Sequence, residues 1–220
     1  MYLARWGFTP QKLMKRAYEQ RSEAVQAWLN ETYPEISCQA IAEGAEIQWG
    51  DETGLRWDDV RNHSYAPIGK TPERRMASRR EDLSVMSTMT NRGQVRWEIF
   101  EGAMNANILL DFLKRLIKDL RSTKVFLILD NLQVYRAKPL KASLAEHINK
   151  IEVLYLPSCS SELNPDEMLY TDLKANVTKQ APEQIKGYFK KAVISHLRRL
   201  QKSSKRVALY FMHKPIRYAV

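Results

Sequence analysis

Apolar and polar positions alternate with two periods along this chain, and each period predicts an element. Residues 82–90 and 94–102 alternate with a period of two around the sequence NRG at 91–93, which predicts an antiparallel hairpin. Residues 105–121 instead place their apolar side chains on one helical face, and this pattern is typical of an amphipathic helix. The middle of the chain therefore predicts two strands followed by a helix.

The second half of the chain continues as alternating strands and helices. Residues 124–131, with the apolar run Phe126 to Leu129, predict a strand buried on both faces, and residues 151–157 predict another strand. The segments 137–150 and 164–177 predict helices, with Pro165 near the start of the second. Helices that connect successive strands imply parallel pairing.

An earlier strand completes the predicted sheet. Residues 45–50 predict a short strand with Asp51 at or just past its end, and residues 54–59 predict its return strand. The fold class is therefore α/β, a mixed sheet of three antiparallel and then parallel strands, flanked by helices. Residues 59–82 are polar and predict a long basic loop.

The two ends of the chain have a different character, so we divide it into three domains. Residues 1–43 predict a helical region that ends near Pro34, residues 44–180 the α/β domain, and residues 181–220 a basic helical tail. The chain has 220 residues, a net charge of +10 and a pI of about 9.6, a balance that favours a polyanion such as nucleic acid. Cys38 and Cys159 allow no disulfide framework, and no signal sequence or membrane span is present, which indicates the cytoplasm.

Three acids follow from this scheme as candidate metal ligands. Asp51 and Asp130 stand where two predicted strands end, and Glu167 lies in the first turn of the helix after the last strand. Carboxylates that converge repel each other, and hard oxygen ligands suit Mg²⁺ or Mn²⁺. Two such ions about 4 Å apart can clamp a phosphoryl displacement. The alternative is that each acid caps a turn or a helix, and Asp166 competes with Glu167 as the third ligand.

The motifs around these acids resemble a known family. They are WGDETG, YAPIGKTP, STMTNRGQVRWEIFEGAMNA, LILDNLQVYRAKP and LYLPSCSSELNPDEMLYTDLK. Their order and separations are similar to those of the DDE transposases of bacterial insertion sequences, and the insertion-sequence-630 family, related to the mariner transposases, is the closest group. The resemblance extends over nearly the whole chain.

The resemblance implies a ribonuclease H-like fold, two Mg²⁺ or Mn²⁺ ions, and DNA cleavage followed by strand transfer at the ends of an insertion sequence. It assigns the catalytic and metal-binding acids to Asp51, Asp130 and Glu167, with Glu52, Asn131 and Asn164 as their supporting neighbours. It also implies double-stranded DNA as the partner, a homodimer, and a place at the nucleoid in a bacterial cytoplasm. Residues 1–43 then correspond to the end of a helix-turn-helix region, so the chain is predicted to be N-terminally truncated.

Two alternative functions stay open. The chain departs from the family pattern at Tyr135, Cys159 and Ser161, where relatives usually have His, an aromatic residue and Pro. A catalytically inactive, truncated copy that binds DNA or dimerises is therefore one alternative, and a ribonuclease H-like nuclease acting on RNA hybrids is another.

Two other signals are set aside. The sequence GKT at 69–71 lacks the first glycine of a phosphate-binding loop, because Ser64 stands at that position. No pair of the four histidines has the spacing of a zinc-binding helix.

Overall fold

The computed structural model contains one mixed β-sheet. It describes residues 5–6, 18–56, 67–70, 82–120, 123–130, 138–177 and 187–220. The strands in these ranges are β1 (Glu46–Arg56), β2 (Asp82–Met89), β3 (Val95–Phe100), β4 (Val125–Leu129) and β5 (Ile151–Tyr155). Their order in the sheet is β3-β2-β1-β4-β5, with β1, β2 and β3 antiparallel and β1, β4 and β5 parallel. The predicted mixed sheet is confirmed.

Helices cover both faces of this sheet. They are α1 (Ser22–Ala27), α2 (Tyr33–Glu43), α3 (Ala106–Leu120), α4 (Lys138–Glu146), α5 (Asp166–Val177), α6 (Tyr188–Gln201) and α7 (Ser204–Ala208). A π-helical turn, Trp28–Thr32, joins α1 to α2, and short 3₁₀ helices span Ser161–Leu163, Leu209–Met212 and Lys214–Ala219. None of the helices in the described ranges combines the length and apolar character of a bilayer span.

Helix α3 follows the β2–β3 hairpin, and both its apolar pattern and its N-terminal cap fit a helix that begins at Ala106. Asn105 Oδ1 accepts hydrogen bonds from the backbone N–H groups of Asn107 and Ile108, at 3.0 and 3.1 Å, and so caps the start of α3. Leu109, Phe112 and other apolar residues of the same face are buried. The predicted hairpin and amphipathic helix are both confirmed.

Strand β1 is longer than predicted, and the predicted return strand at 54–59 is wrong. Residues 54–56 continue β1, which pairs with β2 up to Arg56 and Asp82. Asp51, Thr53 and Leu55 are buried while Gly54 and Arg56 are exposed, so the period of two continues to the end. This period was not evident in the sequence because the polar residues Asp51 and Thr53 occupy buried positions.

Two predicted helical boundaries are also wrong. Pro34 does not end the N-terminal helix, because Thr32 and Tyr33 before it keep helical backbone angles and the chain continues from the π-helical turn into α2. The tail is not one helix, since α6 ends at Gln201 and short turns follow. Most of the predicted loop 59–82 lies outside the described residues, and residues 67–70 form a turn.

The sheet separates two cores. Phe126 and Ile128 of β4 point into one core, and Leu127 and Leu129 point into the other. The first core includes α2, α5, α6 and the C-terminal turns, while α3 and α4 cover the second. Trp49 lies at the centre of the first, with its ring centroid 5.1 Å from that of Phe211.

The three-domain division stays a prediction.

Candidate active site

Asp51 and Asp130 directly follow the last paired residues of two neighbouring parallel strands. The β1–β4 ladder ends at the pair Gly50 and Leu129, so the next residue on each strand is an acid. The prediction that Asp51 stands at or just past the end of β1 is wrong. Strand β1 continues and pairs with β2, where Asp51 lies opposite Ser87. The backbone of Asp51 is therefore fixed by its pairing with β2. On its other edge, the ladder with β4 has already ended at Gly50 and Leu129.

Asn164 connects these two strands. Its Nδ2 donates hydrogen bonds to Asp130 Oδ1 and to the carbonyl oxygen of Gly50, both at 3.1 Å. Its Oδ1 accepts a hydrogen bond from the backbone N–H of Asp166 at 3.1 Å, which caps the start of α5. The fully buried amide thus fixes the position of α5 relative to both strands. The sequence marked Asn164 only as a motif neighbour.

Beneath Asp51 lies a second polar group, which sequence reasoning missed. The Tyr170 hydroxyl donates a hydrogen bond to the carbonyl oxygen of Asp51. Ser87 Oγ lies 2.9 Å from the Tyr170 hydroxyl and 2.9 Å from Asp166 Oδ1. Asp166 has no exposed surface, and its other oxygen, Oδ2, has no hydrogen-bond partner among the described residues. Ser87 begins the motif STMTNRGQVRWEIFEGAMNA, but nothing in the sequence pointed to its contacts with Asp166 and Tyr170.

The site raises the pKa of Asp51 and of Asp130. Burial, and then the charges of Asp130 and Glu167, raise the pKa of Asp51 to about 8, although the N–H of Glu52 donates to Asp51 Oδ1 at 2.8 Å. Burial also raises the pKa of Asp130, an effect that the hydrogen bond from Asn164 partly offsets. Asp51 and Asp130 therefore hold a proton more tightly than an exposed aspartate does.

Asp166 and Glu52 belong to the same electrostatic environment. Burial, followed by the charge of Asp51, raises the pKa of Asp166 well above its ordinary value. Burial alone raises the pKa of Glu52, which is half-buried beside Asp51. Asn131, the third supporting neighbour named from the sequence, lies outside the described residues.

Glu167 lies in the first turn of α5 and is half-buried. Its charge raises the pKa of both Asp51 and Asp130, so the three acids selected from the sequence influence one another. Over the ranges that the structure describes, no three His, Cys, Asp or Glu side chains are arranged as a metal site. The assignment of these acids as metal ligands stays a prediction.

The donor set nevertheless fits a hard divalent cation. It consists of carboxylate oxygens on rigid elements, and their mutual repulsion would be relieved by a positive ion. The unpartnered Oδ2 of the buried Asp166 adds one more oxygen without a hydrogen-bond partner in the described chain. The chemistry of the site therefore suits Mg²⁺ or Mn²⁺ better than a soft metal.

The loop that precedes α5 is fixed to the N-terminal part of the chain. Gln20 Nε2 lies within hydrogen-bond distance of three acceptors, the carbonyl oxygen of Cys159 at 3.1 Å, Ser160 Oγ at 3.2 Å and Glu162 Oε1 at 2.5 Å, which share its two protons. Glu162 in turn contributes to the raised pKa of Asp130. The segment before α1 therefore reaches the edge of the acid cluster.

Comparisons with known proteins extend this description. A family model described as DDE superfamily endonuclease matches residues 46–187, and one described as winged helix-turn-helix matches residues 1–32. A search of curated proteins found no match.

Solved structures of a mariner transposase have a similar fold. The Mos1 mariner paired-end complex with Mn matches at a TM-score of 0.66 and 17% identity, covering 100% of this chain and 69% of that chain. The Mos1 paired-end complex with the left transposon end gives 0.60 and 18%, covering 94% and 68%. The catalytic domain of Mos1 gives 0.51 and 14%, covering 92% and 97%. The predicted ribonuclease H-like sheet is thereby confirmed.

Proposed function

Since the DDE superfamily model covers residues 46–187, the chain belongs to the DDE superfamily of endonucleases, and we propose that it is a transposase of the insertion-sequence-630 group. In this proposal it cleaves double-stranded DNA at the ends of an insertion sequence and joins the freed 3′ end to a target. The single observation that supports it best is the placement of Asp51 and Asp130 directly after one β-ladder, bridged by Asn164.

Asp51, Asp130 and Glu167 would hold the divalent cations, for which we propose two Mg²⁺ or Mn²⁺ ions. When bound, such ions stabilise negative charge on the reacting phosphate and its attacking and departing oxygens. The protein's own contribution is to hold Asp130 rigidly through Asn164 and to hold the Asp51 backbone through Tyr170. Asp51 is then placed by the sheet, and Asp130, the first residue after β4, is placed by the end of that strand and by its hydrogen bond from Asn164.

The remaining parts of the proposal concern DNA and assembly. The match of residues 1–32 to a winged helix-turn-helix supports recognition of the element ends by the N-terminal region. The solved relative is described as a paired-end complex, which supports a homodimer acting on two DNA ends. The three-domain division belongs to the same proposal.

The test is cleavage of a supercoiled plasmid that carries the element end, in the presence of Mn²⁺ or Mg²⁺. We expect Asp51→Asn, Asp130→Asn and Glu167→Gln each to reduce nicking to background while the far-ultraviolet circular dichroism spectrum is unchanged. Glu162→Gln is the matched control, since it removes a neighbouring acid outside the proposed ligand set. Retained cleavage by Asp130→Asn would refute the site.

Three further outcomes decide between the alternatives. DNA binding without metal-dependent nicking in the unaltered protein would identify an inactive copy. Nicking lost in Asp166→Asn but kept in Glu167→Gln would move the third ligand to Asp166. Cleavage of an RNA–DNA hybrid in preference to duplex DNA would replace the transposase by a different nuclease.

A further inference from the structure

The positive charge of this chain is concentrated at one end. Between Gln184 and Val220 there are ten lysines and arginines and no aspartate or glutamate, and the formal net charge of the whole chain is +10. The remaining residues therefore carry equal numbers of acidic and basic side chains. This C-terminal segment therefore carries the formal net positive charge of the chain and is a candidate surface for a polyanion.

Helix α6 arranges part of this charge as a stripe. Lys191, Ser195, Arg198 and Lys202 follow one another at helical spacing and are exposed. With Ile194 and Arg199 they line a groove of about 540 Å³. From the first to the last lysine the stripe is about 16 Å long at the ordinary helical rise. A strand of B-DNA carries one phosphate per about 3.4 Å of axis, so the stripe spans roughly five phosphates.

Among the residues that the structure describes, none neutralises the stripe. Within the described residues, no carboxylate lies within ion-pair distance of Lys191, Arg198 or Lys202. Lys124, by contrast, forms ion pairs with Glu43 at 2.6 Å and with Glu152 at 3.2 Å. The charges of the stripe are therefore available to an external anion.

The opposite face of α6 anchors the stripe to the protein core. Phe189, Val193, Leu197 and other residues of that face are buried in the first core. Gln201 Nε2 donates a hydrogen bond to the carbonyl oxygen of Val95 at 3.1 Å, which connects the end of α6 to β3. The stripe thus lies on a rigid helix.

One acid connects this region to the helix that carries Glu167. Asp172 of α5 accepts hydrogen bonds from Arg206 at 2.7 Å and from the Tyr210 hydroxyl, and its Oδ1 lies 3.7 Å from His196 Nε2. The segment from α6 onward is therefore held at a fixed position relative to α5.

We propose that the stripe formed by Lys191, Arg198 and Lys202 binds the phosphate backbone of duplex DNA, independently of sequence, and positions it relative to the acid cluster. The inference rests on the proposed function for the identity of the polyanion. The stripe offers point charges and no acid, and it is long enough to follow several phosphates, as a backbone contact requires.

The test measures equilibrium binding of a duplex of unrelated sequence, by fluorescence anisotropy in EDTA, from 50 to 300 mM salt. We expect Lys191→Gln/Arg198→Gln/Lys202→Gln to reduce the slope of log K against log[salt] by about 2.7, because each lost phosphate contact removes about 0.9. The charge-preserving Lys191→Arg/Arg198→Lys/Lys202→Arg should keep the slope of the unaltered protein.

The matched control removes three positive charges from the opposite side of the sheet, as Lys114→Gln/Lys118→Gln/Lys141→Gln on α3 and α4. These lysines are exposed, so both triple variants should fold and have the same net charge. An equal loss of slope in the control would attribute binding to net charge and overturn the proposal, as would an unchanged slope in the stripe variant. Preferential retention on phosphatidylserine vesicles would assign the stripe to membranes.

Binding is measured without metal, so the result is independent of catalysis. If the stripe variant loses slope while plasmid nicking by the unaltered protein is absent, the stripe stands and the enzymatic proposal fails. If the slope is unchanged while Asp130→Asn abolishes nicking, the enzymatic proposal stands and the stripe proposal fails.

Discussion

The side-chain amide of Asn164 donates a hydrogen bond to Asp130 Oδ1 at 3.1 Å, and the same nitrogen donates to the carbonyl oxygen of Gly50. One residue thus joins both acid-bearing strands to the start of α5. We expect Asn164→Ala to reduce the free energy of unfolding by about 1–3 kcal/mol, because it leaves buried polar atoms without partners. It should also raise the pKa of Asp130 further and reduce nicking about 10–100-fold, as loss of a ligand's support does. Urea unfolding and the plasmid assay measure both effects.

The Tyr170 hydroxyl gives a second prediction. Tyr170→Phe removes the donor to the carbonyl oxygen of Asp51 and leaves the ring in place, so we expect a loss of about 1–2 kcal/mol in the free energy of unfolding. Tyr18→Phe is the control, because Tyr18 is fully exposed and should change stability by less than about 0.5 kcal/mol. Equal stability of the two variants would show that the buried hydroxyl contributes nothing.

Gly50 is required by close packing beside the acids. A Cβ on Gly50 would lie 2.9 Å from Leu129 Cδ2 and 3.0 Å from Thr88 Cγ2, whereas a Cβ on Gly54 of the same strand would meet nothing within 4 Å. We expect Gly50→Ala to destabilise the protein by about 1–3 kcal/mol and Gly54→Ala to be neutral or slightly stabilising. Chemical denaturation of the two variants tests this difference, and a neutral Gly50→Ala would contradict the packing.

These residues also show which parts of the fold and of the site could be predicted from the sequence. Strand β4 and helix α3 were predictable because their burial follows a local period. The roles of Asn164 and Tyr170 were not predictable, because each contact joins residues more than 100 positions apart, Asn164 to Gly50 and Tyr170 to Asp51. The length of β1 was missed for a related reason, since Asp51 and Thr53 are polar residues buried by tertiary contacts.

The raised pKa of Asp51 predicts a pH dependence of stability in the metal-free protein. A carboxyl group whose pKa is about 8 in the folded chain and 3.8 in the unfolded chain binds its proton more tightly when folded. Its contribution to stability is complete below the unfolded value and is lost as the pH rises through 8. We therefore expect Asp51 alone to lower the free energy of unfolding in EDTA by up to about 1.4 kcal/mol per pH unit.

Thermal or urea unfolding between pH 6.5 and 8 measures this slope. The lower limit is chosen because burial lowers the pKa of His196, which gives the opposite dependence at more acidic pH. Asp51→Asn should flatten the slope in part, since burial also raises the pKa of Asp130 and of Asp166. A slope that is unchanged in Asp51→Asn, or a stability that increases with pH in this window, would contradict the assigned direction.

Asp172 is the acid that holds the C-terminal segment to α5, and its removal should loosen that segment selectively. Asp172→Asn keeps the shape of the side chain but removes the charge that accepts hydrogen bonds from Arg206 and Tyr210. We expect a loss of about 1–3 kcal/mol, typical of hydrogen bonds to a charged group. Hydrogen exchange should show faster opening of residues 204–219 than of β4, because β4 is buried on both faces. Asp111→Asn, on the exposed face of α3, is the control, and equal acceleration across the sheet in Asp172→Asn would show that the acid supports the whole fold and not this segment.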